Sequence, residues 1–272
     1  MQSLAGKVAV ITGANSGIGR ALAELLATEG CHLALADINT DNLQSIALDL
    51  RQHGARVSCH QLDVADRTAV FAFANTVLAD HGSAQLIINN AGVAVSQTIA
   101  ELSYTDFEWL MGINFWGVVH GTKAFLPHLQ KNNEGHIVNV SSIFGIIGMP
   151  TQGAYNASKF AVRGFTEALR QELSTSKITV SCVHPGGIKT NIARSARFYQ
   201  GIGGQRDACR AAADFEKLAR TSPEQAARVI VDGIKAKRPR ILIGSDARLL
   251  DWIQRALPAS YPKVLAKLLR KN

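Results

Sequence analysis

The chain has 272 residues, of which 47% are hydrophobic and 18% charged, and a formal net charge of +8. That balance fits one large globular domain with a sizeable core and argues against a disordered or fibrous chain. The basic excess gathers late, at Lys235, Lys237, Arg238 and Arg240 and again at Lys263, Lys267, Arg270 and Lys271; with no aromatic residues interleaved, it reads as a solvated face rather than a nucleic-acid surface.

The chain opens on an apolar run at 7–12 that reads as a first strand and not as a signal peptide. It ends in Thr12-Gly13-Ala14-Asn15-Ser16-Gly17-Ile18-Gly19, glycines spaced GxxxGxG, followed at once by a helical pattern over 18–29. Such a turn lets backbone N–H groups approach a pyrophosphate at the positive end of a helix. Alone, it is also compatible with a tight turn that binds nothing. The second strand, 32–36, ends at Asp37, about 20 residues past the glycines. An acid there can accept bonds from adenosine ribose hydroxyls and would repel a 2′-phosphate. No Arg or Lys at 14–16 or beside Asp37 offsets that repulsion, so NAD(H) is expected over NADP(H). A helix cap or turn role for Asp37 stays open.

A helix at 41–52 leads to a third strand at 56–62, closed by Asp63-Val64, and a helix at 65–80 to a fourth at 85–89, closed by Asn89-Asn90-Ala91-Gly92. Strand C-termini on one edge of an open sheet form the ligand crevice. Asp63 with Val64 is a candidate for the adenine, and Asn90, Ala91 and Gly92 for the loop around the adenosine half; both Asp63 and Asn90 also suit plain turns. Residues 103–130 read as one long helix, bent near Pro127. The fifth strand, 136–140, is followed by Ser141-Ser142, and a helical run from Tyr155 carries Lys159 one turn later. A cation beside a phenol favours the phenolate, and a tuned phenol can exchange a proton with a carbonyl or alcohol oxygen. Ser142 can hold that oxygen.

A sixth strand at 178–183 precedes His184-Pro185-Gly186-Gly187-Ile188-Lys189-Thr190. Residues 191–220 carry no strand pattern and read as a substrate loop. Ser222-Pro223 opens another helix, and 240–243 is a seventh strand. The strands are continuously apolar, as strands buried on both faces are, and strand–helix alternation of this kind predicts an α/β, doubly wound parallel sheet in a single domain. The division expected is a catalytic domain at 1–245, including the substrate loop at 191–220, and a basic amphipathic extension at 246–272. In the extension Leu249, Leu250, Trp252, Ile253, Ala256 and Leu257 follow helical spacing, as do Val264, Leu265, Leu268 and Leu269. It suits packing on the pocket or on a second subunit, and also an anionic membrane surface. Cys31, Cys59, Cys182 and Cys209 form no CxxC pair, so no disulfide framework and no metal site is expected. The expected setting is cytoplasmic.

Together, TGANSGIG, NNAG, Ser142 thirteen residues before Tyr155, and YNASK resemble the short-chain dehydrogenase/reductase (SDR) family, over about residues 4–245. The resemblance implies a Rossmann fold with a seven-stranded parallel sheet in the order 3-2-1-4-5-6-7. It implies that Gly13, Asn15, Ser16, Gly17, Ile18 and Gly19 line the dinucleotide and that Tyr155 is the general acid/base. Lys159 would bind the nicotinamide ribose and lower the phenol's pKa, Ser142 would position the substrate oxygen, and Asn114 would support a water-mediated proton relay to the lysine. Pro185 and Gly186 match the family's PG motif, where Ile188 would bond the carboxamide through its backbone and Thr190 would contact the nicotinamide half. The family also implies a small-molecule alcohol or carbonyl substrate and a homodimer or homotetramer. Phe144, Ile146, Ile147, Met149, Phe198 and Tyr199 make a lipophilic substrate the expectation. An NADP(H)-dependent carbonyl reductase and a non-catalytic nucleotide sensor are the alternatives.

Overall fold

The computed structural model describes residues 3–52 and 54–269, with side chains given to residue 266. The expected tail positions Lys267, Leu268, Leu269, Arg270 and Lys271 therefore lie outside the described side chains. In chain order the first half contains β1 (Val8–Thr12), α1 (Gly17–Thr28), β2 (His32–Asp37), α2 (Leu43–Gln52), β3 (Val57–Gln61), α3 (Arg67–His81), β4 (Leu86–Asn89), β5 (Val95–Ser96), α4 (Tyr104–Met111) and α5 (Gly117–Asn132). The second contains β6 (Gly135–Val140), α6 (Gly153–Glu172), β7 (Ile178–Pro185), β8 (Arg197–Phe198), α7 (Ala208–Leu218), α8 (Pro223–Lys235), β9 (Arg240–Ile243), α9 (Ser245–Ala256) and α10 (Tyr261–Leu269).

Seven strands form one parallel sheet in the order β3-β2-β1-β4-β6-β7-β9. With the two-residue β5 and β8 set aside, this is the expected 3-2-1-4-5-6-7. β1, β4 and β6 are buried at every position, as strands covered on both faces are, and the polar Asn89, His136 and Asn139 in them find hydrogen-bond partners. Alternate residues feed two cores. Ile11, Leu33, Leu35 and Ile88 pack under α1, α2 and α8, against Leu22, Leu26, Leu43 and Ile230. Val10, Ala34, Ile87, Ile137 and Val180 pack on the opposite face, against Phe73, Val77, Phe125, Leu129 and Leu169. Each fully buried large side chain contributes about 1.5–3 kcal/mol. The expected start at Ser222 is a complete capping box: its hydroxyl accepts from Gln225 N, and the Gln225 amide oxygen accepts from Ser222 N.

Three regions gain detail. The expected helical stretch runs unbroken from Tyr104 to Asn132, with a π turn at Gly112–Trp116 inside it, and Pro127 does not interrupt it. α5 lies close against its neighbours: a Cβ on Gly117 would lie 2.7 Å from the Val64 side chain, and one on Gly121 would lie 2.2 Å from Asn89 Oδ1. Asn114, in the π turn, is fully buried. The loop 191–220, in which no strand was expected, contains β8, parallel to β5, and the eleven-residue α7, capped by the Asp207 side chain on Arg210 N. Finally, the extension packs on its own chain. Ala247, Leu250, Tyr261 and Leu265 join Ile143, Phe144, Ile146, Ile147 and Met149, and the Tyr261 hydroxyl accepts from Gly148 N at 2.9 Å. Leu249 and Trp252 remain exposed. Among the described residues, no helix is long and apolar enough to cross a membrane.

Two fully buried histidines make stability pH-dependent. His136 in β6 shares a hydrogen bond with Ser181 Oγ at 2.7 Å, and His184 in β7 donates from Nδ1 to the Ser142 carbonyl at 3.1 Å. Burial pushes His136 down to about 3 and His184 down to about 4. Below pH 6.5 the unfolded chain takes up protons that the folded chain refuses, so stability falls as pH drops from 6.5 toward 4. The shifts of His60, His81 and His128 are also downward, with burial as the first cause, and add in the same direction. Between pH 7 and pH 5 the two buried residues alone should remove several kcal/mol. Urea titrations at the two pH values measure this, and an unchanged midpoint would contradict it.

Candidate active site

The glycine-rich turn joins β1 to α1. Ser16 occupies the N-cap of α1, yet its side chain makes no capping bond there, and no acid lies in the first turn. By contrast α3, α4, α7 and α8 are capped by Asp66, Ser103, Asp207 and Ser222. The first N–H groups of α1 are therefore directed at the loop, as anion binding requires. The glycines are steric necessities. Gly13 and Gly17 have φ of +67° and +54°, and a Cβ on Gly19 would stand 2.0 Å from the Gly13 carbonyl oxygen. Asp37 is fixed at the end of β2: Oδ2 accepts from Asn15 N and Oδ1 from Asn39 N, both at 3.0 Å. Both oxygens retain accepting capacity. Asn15 Oδ1 is buried without a partner among the described residues. A dinucleotide's pyrophosphate and adenosine ribose fit this set.

Asn90 braces the turn, donating from Nδ2 to the Thr12 and Gly13 carbonyls at 3.0 and 3.1 Å. The Thr12 hydroxyl accepts from Asn90 N and Ala91 N. Asp63 is exposed, and its Oδ1 caps Ala65 N at 2.9 Å, a local turn. The Val64 side chain is buried against Gly117 and its carbonyl is bonded by His120, so Val64 faces the core and not the crevice. In the loop after β7, the Thr190 methyl lies 3.0 Å from the Cβ position of Gly17, which joins the pyrophosphate turn to the Pro185–Thr190 segment. The Ile188 side chain is buried in the core, and its carbonyl accepts from Thr190 N.

The proton-transfer candidates converge at the C-terminal ends of β4 and β6. α6 presents Tyr155 and Lys159 one turn apart, with Lys159 Nζ 5.6 Å from the phenol ring centroid. Nζ donates to the Val140 carbonyl at 3.0 Å, and the Ser142 hydroxyl, which accepts from Phe144 N at 3.1 Å, lies near enough to the phenol to influence its proton. A Cβ on Gly92 would sit 3.3 Å from Asn114 Oδ1 and 3.4 Å from Lys159 Nζ, so Gly92, Asn114 and Lys159 are neighbours. The Asn114 side chain is committed to Val93, accepting from its N–H at 2.8 Å and donating to its carbonyl at 2.9 Å.

A family model described as short chain dehydrogenase matches residues 7–200. The chain belongs to this family. It is 47% identical to a Mycobacterium tuberculosis protein named oxidoreductase SadH over 270 residues, 98% of this chain and 96% of that one. A short chain dehydrogenase/reductase from Burkholderia phymatum, solved in complex with NAD, superposes with a TM-score of 0.87 at 34% identity, covering 94% of this chain and 95% of that one. An alcohol dehydrogenase from Thermococcus sibiricus, solved with 5-hydroxy-NADP, gives 0.75 at 28% identity, covering 87% and 95%. Members of this family are oxidoreductases acting on small molecules, and the two solved neighbours named above hold NAD and 5-hydroxy-NADP.

In this short chain dehydrogenase the phenol is not tuned as expected. Burial pushes Tyr155 up to about 12, with the nearby Ser142 hydroxyl pulling it partly down, and burial brings Lys159 down to about 8. Lys159 spends its near contact on Val140, and loss of hydration is the largest influence on the phenol. Reading the residues also missed those that hold the site. Thr12 braces Asn90; Asn156, inside YNASK, donates to the Phe144 and Ile147 carbonyls and accepts from Met149 N; Ser141 donates to the Lys159 carbonyl. Arg197 of β8 pairs with Asp106 at 2.8 Å and stacks 3.6 Å from the Trp109 ring centroid, anchoring the substrate loop to α4. The position of Asn156 within the motif was a usable signal. The Arg197 contact spans 91 residues and had none.

Proposed function

We propose that the chain is an NAD(H)-dependent oxidoreductase interconverting a lipophilic secondary alcohol and its carbonyl, with Tyr155 as general acid/base. The observation that carries this reading is Lys159 one helical turn from Tyr155, its Nζ 5.6 Å from the phenol ring centroid and close to Asn114 at Gly92. The nicotinamide, when bound, accepts or delivers the hydride. Tyr155 moves a proton to or from the substrate oxygen, and Ser142 holds that oxygen. With a pKa of about 8, Lys159 is mostly cationic at pH 7 yet close to titration, so it can both favour the phenolate and return the proton. Asn114 steadies the Val93 backbone behind this pair. Gly13, Asn15, Ser16, Gly17, Ile18 and Gly19 hold the pyrophosphate, Asp37 the adenosine ribose, and Pro185, Gly186, Ile188 and Thr190 the nicotinamide half. Phe144, Ile147 and Met149, backed by Leu250 and Leu265 of the tail, form an apolar wall that supports a lipophilic substrate.

NAD(H) is favoured because the Asp37 carboxylate is fixed by two backbone N–H groups, and no cation pairs with it among the described residues. A 2′-phosphate would meet that charge uncompensated. Fluorescence titration should give NADH at least tenfold tighter binding than NADPH, and Asp37→Ser should narrow the gap. Tighter NADPH binding by the unmodified protein would reverse the cofactor assignment.

A further inference from the structure

The Pro185–Thr190 segment carries the nicotinamide half under the reading above, yet its tip is fastened from outside. Gly186 N donates to the Ile243 carbonyl of β9 at 2.9 Å. Gly187 N donates to Asp246 Oδ2 at 2.7 Å. Asp246 lies in the first turn of α9, 59 residues further along the chain, where a carboxylate also suits the helix N-terminus. The fit is tight on every side. A Cβ on Gly186 would lie 2.2 Å from Asp246 Oδ2, and one on Gly244, whose φ is +95°, would lie 2.2 Å from Oδ1. A Cβ on Gly187 would come within 3.1 Å of the Ala219 backbone. Two glycines thus leave room for one carboxylate, and that carboxylate fixes one backbone amide between Pro185 and Ile188.

We infer that Asp246 is a positioning residue for the nicotinamide half of the cofactor. Its carboxylate sets the Gly186-Gly187 backbone, and through it the neighbouring Ile188 and Thr190, without touching the reacting atoms. The inference rests on the nicotinamide reading and goes further, because it makes the start of the tail part of the cofactor site. Loss of the carboxylate should loosen the nicotinamide half and leave the adenosine half, which α1 and Asp37 hold, unaffected.

The test compares NADH with ADP-ribose, which keeps the adenosine, the pyrophosphate and a ribose but lacks nicotinamide. Asp246→Ala should weaken NADH about tenfold and leave ADP-ribose within about twofold. Asp246→Asn, whose amide oxygen can still accept from Gly187 N, should stay within about threefold for both. Gly186→Ala, which forces the carboxylate aside, should give the same split as Asp246→Ala, and combining the two should add little. If Asp246→Ala does not fold, Gly186→Ala carries the comparison. Equal weakening of both ligands, or none, overturns the inference. If the unmodified protein binds neither NADH nor NADPH, it is the nicotinamide reading that fails.

Discussion

Tyr155→Phe should lower kcat by about three orders of magnitude and leave NADH affinity within about twofold. The substitution removes one hydroxyl and little else. The ring keeps its edge-on contact with Phe144 at 6.1 Å between centroids, and Lys159 keeps its bond to Val140. What disappears is the phenol that exchanges a proton with the substrate oxygen under the proposed mechanism. General acid–base catalysis is worth about 10²- to 10⁴-fold, and a proton-transfer role predicts a loss in that range. The assay takes whichever of hydroxysteroids, retinoids, aliphatic alcohols or small diols the unmodified enzyme oxidises with NAD⁺, and follows NADH absorbance. Turnover within tenfold of the parent would remove Tyr155 from the chemistry.

The second large effect lies at the other end of the crevice. Gly19→Ala places a methyl 2.0 Å from the Gly13 carbonyl oxygen, 2.7 Å from Asn90 Nδ2 and 2.8 Å from the Gly13 carbonyl carbon. Two of those three atoms are backbone, so the clash is not relieved by turning a side chain. Either α1 or the turn must move, and the Asn90 brace to Thr12 and Gly13 moves with it. A displacement of about 1 Å in a positioning element commonly costs about 100-fold, and NADH affinity should fall by that order. Overpacking should also cost about 1–3 kcal/mol of stability. Calorimetric titration of NADH, with a thermal melt of the same sample, reads both. Unchanged affinity would mean that the turn does not touch the cofactor.

Where sequence and structure agree, the physics is local. Apolar runs marked the central strands β1, β2, β4 and β7 because both faces of the sheet are covered there. Ser222-Pro223 marked α8 because a capping box is completed within four residues. Gly13, Gly17 and Gly19 were legible because positive φ and backbone contact admit few alternatives. Where the structure adds what the residues do not show, distant segments decide. β5 and β8 have only two residues each and pair across about a hundred positions, fastened by Arg197 on Asp106 and Trp109. The raised pKa of Tyr155 reflects the apolar surroundings of its half-buried ring, which residue spacing does not carry.

The bond from Gly187 to Asp246 bears on how the protein is made. Synthesis runs from the N-terminus, so β1, the glycine turn and Asp37 leave the ribosome while most of the sheet is still missing. The order β3-β2-β1-β4-β6-β7-β9 then grows outward along one side, and the Pro185–Thr190 segment emerges long before the residue that fastens it. A nascent chain can thus shape the pyrophosphate cradle early, yet its nicotinamide end stays unfastened until α9 has folded back. Under the proposed reading, the pyrophosphate and nicotinamide ends of the cofactor site are completed at different stages of synthesis.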